Sequence, residues 1–154
     1  MKICDALASD AEALCAVLEE LVAAGKRTKA SDADFACSHY INHPDKLRCS
    51  LALGDDGQLL GFQSLKLAKQ GNIYGTPVRW GIIGTHVRPS AARQGVGRQL
   101  FAATREAALK ARLPAIEAFI GNENHEAIAY YESMGFVTYR HAEGAVCKSF
   151  KVIS

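Results

Sequence analysis

Residues 87–100 read VRPSAARQGVGRQL. A strand-like valine leads to a proline and a loop of small residues. Two glycines one residue apart then open an apolar helical pattern. The N-terminus of a helix offers unpaired backbone N–H groups and partial positive charge, and glycine there lets a ligand approach the backbone closely. The stretch is therefore either an anion cradle with Arg93 and Arg98 at its rim, or a glycine-tightened corner with solvated arginines. It is not a P-loop, since no G-K-[S/T] follows. It is not a dinucleotide fingerprint, since Leu100 stands where a third glycine would fall.

The flanking sequence places this loop between a strand over 78–87 (VRWGIIGTHV) and an amphipathic helix over 97–112 that turns Leu100, Phe101, Thr104, Ala108 and Leu109 inward. Pro114 and a strand over 115–120 (AIEAFI) follow, so the two strands make a parallel crossover around the helix. Upstream, 2–6 is a short strand, and SDAEALCAVLEELVAAG is a helix capped by Ser9, with Leu14, Val17, Leu18, Leu21 and Val22 at helical spacing and Gly25 as its stop. A second helix is expected from a cap at Ser31 to before Pro44. Two strands around Gly-Asp-Asp-Gly form a hairpin over 47–68. Downstream, 124–134 is a helix stopped by Gly135, and a last hairpin turns at Glu143-Gly144. The order β-α-α-β-β-β-α-β-α-β-β describes an α+β fold, and with no repeat or linker residues 1–154 read as one domain.

Composition narrows the function. The chain has 154 residues, a net charge of +2, 49% hydrophobic and 22% charged residues, an ordinary balance for a globular domain. Such a charge gives no global case for nucleic acid. No apolar run approaches the roughly 20 residues of a membrane span, and MKICDALASD lacks a signal-peptide apolar region. The five cysteines are odd in number and widely spaced, without C-x-x-C. They read as free thiols in a reducing cytoplasm rather than as disulfides or zinc ligands.

A second stretch, NHEAIAYYESMGF (124–136), bears on the loop. Asn124 fits an N-cap, Ala127, Ile128, Tyr131 and Met134 recur at helical spacing, and Gly135 caps the end. Tyr131 alone would read as an inward-facing core aromatic. Together the two stretches resemble the GNAT superfamily of acyl-CoA-dependent N-acetyltransferases. Its V-x-P-x-x-[Q/R]-x-x-G-x-G-x-x-L pattern runs through 87–100. Its N-x-x-A-x-x-x-Y-E-x-x-G-F pattern is met by Asn124, Ala127, Tyr131, Glu132, Gly135 and Phe136. One position departs: the family's Gln or Arg is Ala92 here.

The resemblance implies a mixed sheet of about six to seven strands flanked by four helices, with two splayed parallel central strands holding acetyl-CoA between them. It implies that the backbone of Thr85, His86 and Val87 binds the pantetheine arm, and that an N–H near Val87 helps hold the oxyanion. Arg93, Gln94, Gly95, Val96, Gly97 and Arg98 would then cradle the pyrophosphate. Asn124 would touch the pantetheine or orient the loop before the last helix. Tyr131 would be the general acid to the departing CoA thiolate, a phenol (pKa ~10) being near enough to a thiol (pKa ~8.5) for useful transfer. Two family positions for a base carry Gly81 and Phe119 here, neither of which accepts a proton. A water chain, then His86, then Glu117 are the remaining candidates, with His125 also near; His86 as a base competes with a strand-end histidine bonded to backbone. The acceptor is an amine of open identity, and an α-amino group suits the missing carboxylate better than a lysine does. A homodimer through the C-terminal strands is a further family implication.

Other features have plainer readings. His39 and His43, four apart, would share a helix face without a third metal ligand, and no metal is expected. KRTK (26–29) is a solvated basic loop or an attractor for an acidic acceptor. Phe62, Tyr74 and Trp80 line an acceptor pocket or the core. Arg105, Glu106, Lys110 and Arg112 form an exposed helix face. Against the enzyme reading stands a non-catalytic acyl-CoA sensor or interaction module. A nucleotide-binding α/β domain would need a parallel sheet and phosphate-binding lysine chemistry that the sequence lacks.

Overall fold

Every strand marked in the sequence joins one sheet. The computed structural model describes residues 1–28 and 32–153. Seven strands, β1 (Lys2–Asp5), β2 (Lys46–Leu53), β3 (Leu59–Leu67), β4 (Gly81–Val87), β5 (Ala115–Gly121), β6 (Val137–Ala142) and β7 (Ala145–Lys151), lie in the order β1-β2-β3-β4-β5-β7-β6. Only β4 and β5 are parallel, as the crossover through the intervening helix requires.

Helix α1 (Ala11–Ala23) and helix α2 (Ala33–Ala36, continued by a wide π turn over Cys37–Ile41) pack on one face of the sheet. Leu14, Val17, Leu18, Tyr40 and Ile41 meet Phe62 and Leu51 there. Helix α3 (Val96–Lys110) and helix α4 (His125–Met134) cover the other face, where Phe101, Ala108, Tyr131 and Phe136 meet Leu65, Ile83 and Ile116. Burying these stripes on both faces is the main favourable term in holding the layers together.

The structure corrects several local expectations. Ser9 caps nothing: it lies inside a 3₁₀ turn over Ala8–Asp10, and the chain is held there by Asp10, whose carboxylate accepts from the Leu7 N–H at 2.8 Å. Val22 and Leu109 are exposed (41% and 47%), because each sits at the flank of its helix's apolar stripe. Strand β4 starts at Gly81 rather than at 78, since Arg79 has a positive φ of 76° and Trp80 closes a turn onto Pro77. The cap expected at Ser31 lies outside the described residues. The helix it was to open starts from Asp32, whose side chain accepts from the Phe35 N–H. All five cysteines are free. Among the described residues no helix is long and apolar enough to cross a membrane.

Candidate active site

The central feature is a fork. β4 and β5 pair only through Gly81↔Ile116 and Ile82↔Glu117. Beyond that point β4 continues on β3 to Gly61↔Val87, while β5 continues on β7 to Gly121↔Ala145. The facing edges of the two strands thus run on without each other, and their backbone groups need other partners. An extended ligand that adds like a strand is one such partner.

Tyr131 reaches the fork from α4. It is 5% exposed, and its hydroxyl lies 2.8 Å from Thr85 Oγ1 on β4. Burial pushes the Tyr131 phenol well above the ordinary tyrosine range, against a lesser opposing effect of its bond to Thr85, so it stays protonated. Thr85 also accepts from Gln63 Nε2 at 2.9 Å, and the same nitrogen lies 3.0 Å from the Tyr130 hydroxyl. Tyr130 in turn donates to the Gly97 carbonyl at 2.7 Å. Burial pushes the Tyr130 phenol up to about 12. Gln63 lies outside both motifs read from the sequence, and Tyr130 falls within the second one at a position to which the motif assigns no residue. Gln63 sits in the continuously buried run Gly61–Leu65 of β3, where its polarity is the one signal that could have singled it out.

The loop of 88–98 joins the fork from β4. Arg88 fastens it, donating to the Leu59 carbonyl and to Glu20 of α1, both at 2.6 Å. A 3₁₀ turn over Pro89–Ala91 follows, then two left-handed residues, Arg93 (φ 64°) and Gly95 (φ 77°), and α3 starts at Val96. Arg93, Gln94, Gly95 and Arg98 are exposed, with Ala92 beside them, while Val96 is buried. The two glycines serve different needs. Gly95 supplies a backbone conformation. Gly97 supplies space, since a Cβ there would sit 2.5 Å from the Tyr130 ring. Asn124 spends its side-chain oxygen on the Ala127 N–H at 3.2 Å, as the helix cap expected of it.

His86 projects from the opposite face of β4. Its ring stacks on Phe62 (4.7 Å between centroids), and its Nε2 lies 3.3 Å from the Tyr40 hydroxyl and 3.4 Å from Arg27 Nη1. Arginine has only donors, so Nε2 is the accepting nitrogen there. Glu117 is fully buried on the same face. Its carboxylate accepts from Arg140 Nη2 at both oxygens (2.9 Å and 3.0 Å) and from Arg140 Nε at 3.1 Å, and it also accepts from the Thr76 hydroxyl at 2.7 Å and from the Tyr139 hydroxyl. Both oxygens are engaged, which makes it an anchor for the loop of 68–80, where Arg140 also holds the Tyr74 carbonyl at 2.8 Å. The two family base positions are closed: a side chain at Gly81 would run into Leu65 and Leu113, and Phe119 packs on Tyr74.

The remaining sequence candidates are dispersed. Phe62 is core, Trp80 lies against Tyr139, and only Tyr74 stands beside the fork's Phe119. Lys26 pairs across to Glu126 at the start of α4, and Lys29 lies outside the described residues. Glu106 and Lys110 pair along α3, and His125 is exposed. The rings of His39 and His43 are 6.2 Å apart. Among the described residues no three His, Cys, Asp or Glu side chains are grouped to hold a metal ion.

Comparison with known proteins addresses the same region. A family model described as "Acetyltransferase (GNAT) family" matches residues 14–136. No curated protein matches the chain. Among solved structures, a GCN5-related N-acetyltransferase from Kribbella flavida superposes with a TM-score of 0.79 at 22% identity, covering 97% of this chain and 96% of the other. A ribosomal-protein-alanine N-acetyltransferase from Brucella melitensis gives 0.77 at 20% identity, covering 98% and 99%. The paia N-acetyltransferase from Thermoplasma acidophilum, in complex with coenzyme A, gives 0.75 at 16%, covering 97% and 98%. At these identities the likeness establishes the fold: a seven-stranded mixed sheet with four helices and a central parallel pair.

Proposed function

The chain belongs to the GNAT acetyltransferase family, and on that footing we propose that it moves an acetyl group from acetyl-CoA to a primary amine by direct attack, with Tyr131 as the general acid. The observation that carries this reading is the protonated Tyr131 hydroxyl, buried beside Thr85 where β4 and β5 part. The amine nitrogen bonds to the thioester carbon and the C–S bond breaks. The sulfur leaves with the electron pair and takes the Tyr131 proton, and the proton lost by the amine reprotonates the phenolate through solvent. The backbone of Thr85, His86 and Val87 along the fork would bind the pantetheine arm, with an N–H near Val87 at the oxyanion. The turn from Arg93 to Arg98 would hold the pyrophosphate on the α3 N-terminus.

A water chain takes the amine proton in this reading. His86 is the nearest alternative, although its Nε2 faces Arg27 and Tyr40. Glu117, saturated by its partners, is assigned an anchoring role. An acceptor that is partly neutral at physiological pH suits a site without a carboxylate base, which favours an α-amino group (pKa ~8) over a lysine (pKa ~10.4). We take 1–154 as one domain, working in the cytoplasm, the compartment its free thiols suit.

The test is an amine screen that follows CoA thiol release, with amino acids, polyamines and peptides carrying free N-termini. Turnover with at least one class, lost in Tyr131→Phe, is expected. Stoichiometric acetyl-CoA binding without release from any amine would favour the second reading, a non-catalytic acyl-CoA sensor, for which the closed base positions at Gly81 and Phe119 speak.

A further inference from the structure

An acid is useful only if its hydrogen points at the leaving group, and a chain of hydrogen bonds bears on where the Tyr131 hydrogen points. The Gly97 carbonyl can only accept, so the Tyr130 hydroxyl, 2.7 Å away, gives its hydrogen there. The Tyr130 oxygen is then an acceptor, and the end of the Gln63 amide that faces it, at 3.0 Å, is the nitrogen. That nitrogen's second hydrogen goes to Thr85 Oγ1 at 2.9 Å. The amide oxygen is left buried without a hydrogen-bond partner among the described residues, on a side chain that is 0% exposed. An orphaned buried acceptor is rare and costly, and here it is what the amide orientation requires. Thr85 receives from Gln63 and has its own hydrogen to give to the Tyr131 oxygen, 2.8 Å away.

We propose that Gln63, oriented by Tyr130 and the Gly97 carbonyl, is a positioning residue: it makes Thr85 a donor to Tyr131 and so keeps the Tyr131 hydrogen for the sulfur of CoA. The relay starts at the turn assigned to the pyrophosphate and ends at the acid. It rests on the reading of Tyr131 given above. A glutamate at position 63 would accept from Thr85, turn the Thr85 oxygen into an acceptor for Tyr131, and draw the phenol hydrogen away from the sulfur.

The experiment measures binding of CoA and of desulfo-CoA, which lacks the sulfur, by calorimetry at pH 8.5, with thermal unfolding to confirm that each variant is folded. Wild type is expected to bind CoA about tenfold more tightly than desulfo-CoA, the worth of one hydrogen bond to a charged sulfur. Gln63→Glu is expected to reduce that ratio to within about twofold, and Thr85→Ser to keep it. Thr85→Val in the Gln63→Glu background is expected to restore most of it, because the drain runs through the threonine hydroxyl; damage from packing or from the added charge would not be relieved this way. An unchanged ratio in Gln63→Glu, or a double variant no better than Gln63→Glu, overturns the relay. An unchanged ratio in Tyr131→Phe instead removes the acid reading itself.

Discussion

The Tyr130 ring occupies the space that a side chain on Gly97 would need: an added Cβ would lie 2.5 Å from its Cε1, while the Tyr130 hydroxyl holds the Gly97 carbonyl at 2.7 Å. One residue of α4 thus sets the first turn of α3. Gly97→Ala should therefore destabilise the fold by about 1–3 kcal/mol through overpacking and weaken acetyl-CoA binding. Tyr130→Leu should recover part of the stability in the double variant. Urea unfolding and acetyl-CoA titration measure both, and additive losses would contradict the contact.

Tyr131→Phe removes the hydroxyl and leaves the ring packed on Phe136. We expect kcat with an amine acceptor to fall by about a hundredfold, as for loss of a general acid. The dissociation constant for acetyl-CoA should stay within about threefold, since the ring's packing is retained. Steady-state kinetics beside calorimetry separates the two.

Burial holds the Tyr130 phenol protonated up to about pH 12, whereas in the unfolded chain it ionises near pH 10. Below pH 10 both states are neutral, and the full stability is present. As pH rises above 10 the unfolded chain sheds a proton that the folded chain keeps, so stability falls until pH passes about 12. Between those limits wild type should lose about 2 kcal/mol more than Tyr130→Phe. Burial raises Tyr131 and Tyr139 too, so the difference between the two proteins in urea melts at each pH is the quantity to follow.

Glu117→Gln leaves the Arg140 guanidinium without its counter-charge in a partly buried site. The expected cost is about 3 kcal/mol, with loosening of the 68–80 loop that Arg140 holds through the Tyr74 carbonyl. If Glu117 anchors, the pH profile of the remaining activity keeps its shape. A lost acidic limb would mark it as the base instead.

Ala92 stands exposed in the loop where the related motif has Gln or Arg. Ala92→Arg should tighten acetyl-CoA binding by roughly threefold at low ionic strength, and the gain should fade at 0.5 M salt because an exposed charge is screened. A gain that persists at high salt would indicate a direct hydrogen bond.

Much of this was legible along the chain. The Gly-Asp-Asp-Gly and Glu143-Gly144 turns, the helix over 124–134 and the crossover between the strands ending near Val87 and beginning at Ala115 are local signals, and the structure carries each of them. Local signals also misled. Ser9 matches a capping pattern, yet Asp10 reaches back to the Leu7 N–H and starts the chain into a 3₁₀ turn, a competition between neighbouring side chains that composition does not decide. Glu117 reads as a spare carboxylate until Arg140 and Thr76, far away in sequence, are seen to enclose it.

The sequence by itself determined the element order, the parallel crossover and the glycine-started helix, because turn chemistry and helical periodicity act over a few residues. Tertiary structure alone decided where the splayed β4 and β5 separate, after two pairs, that His86 and Tyr131 lie on opposite faces of β4, and that Gln63, Tyr130 and Gly97 meet. These depend on strand register and on how two helices seat on the sheet. No window of neighbouring residues contains that information, because the partners of Gln63, Tyr130 and Tyr131 lie tens of residues away.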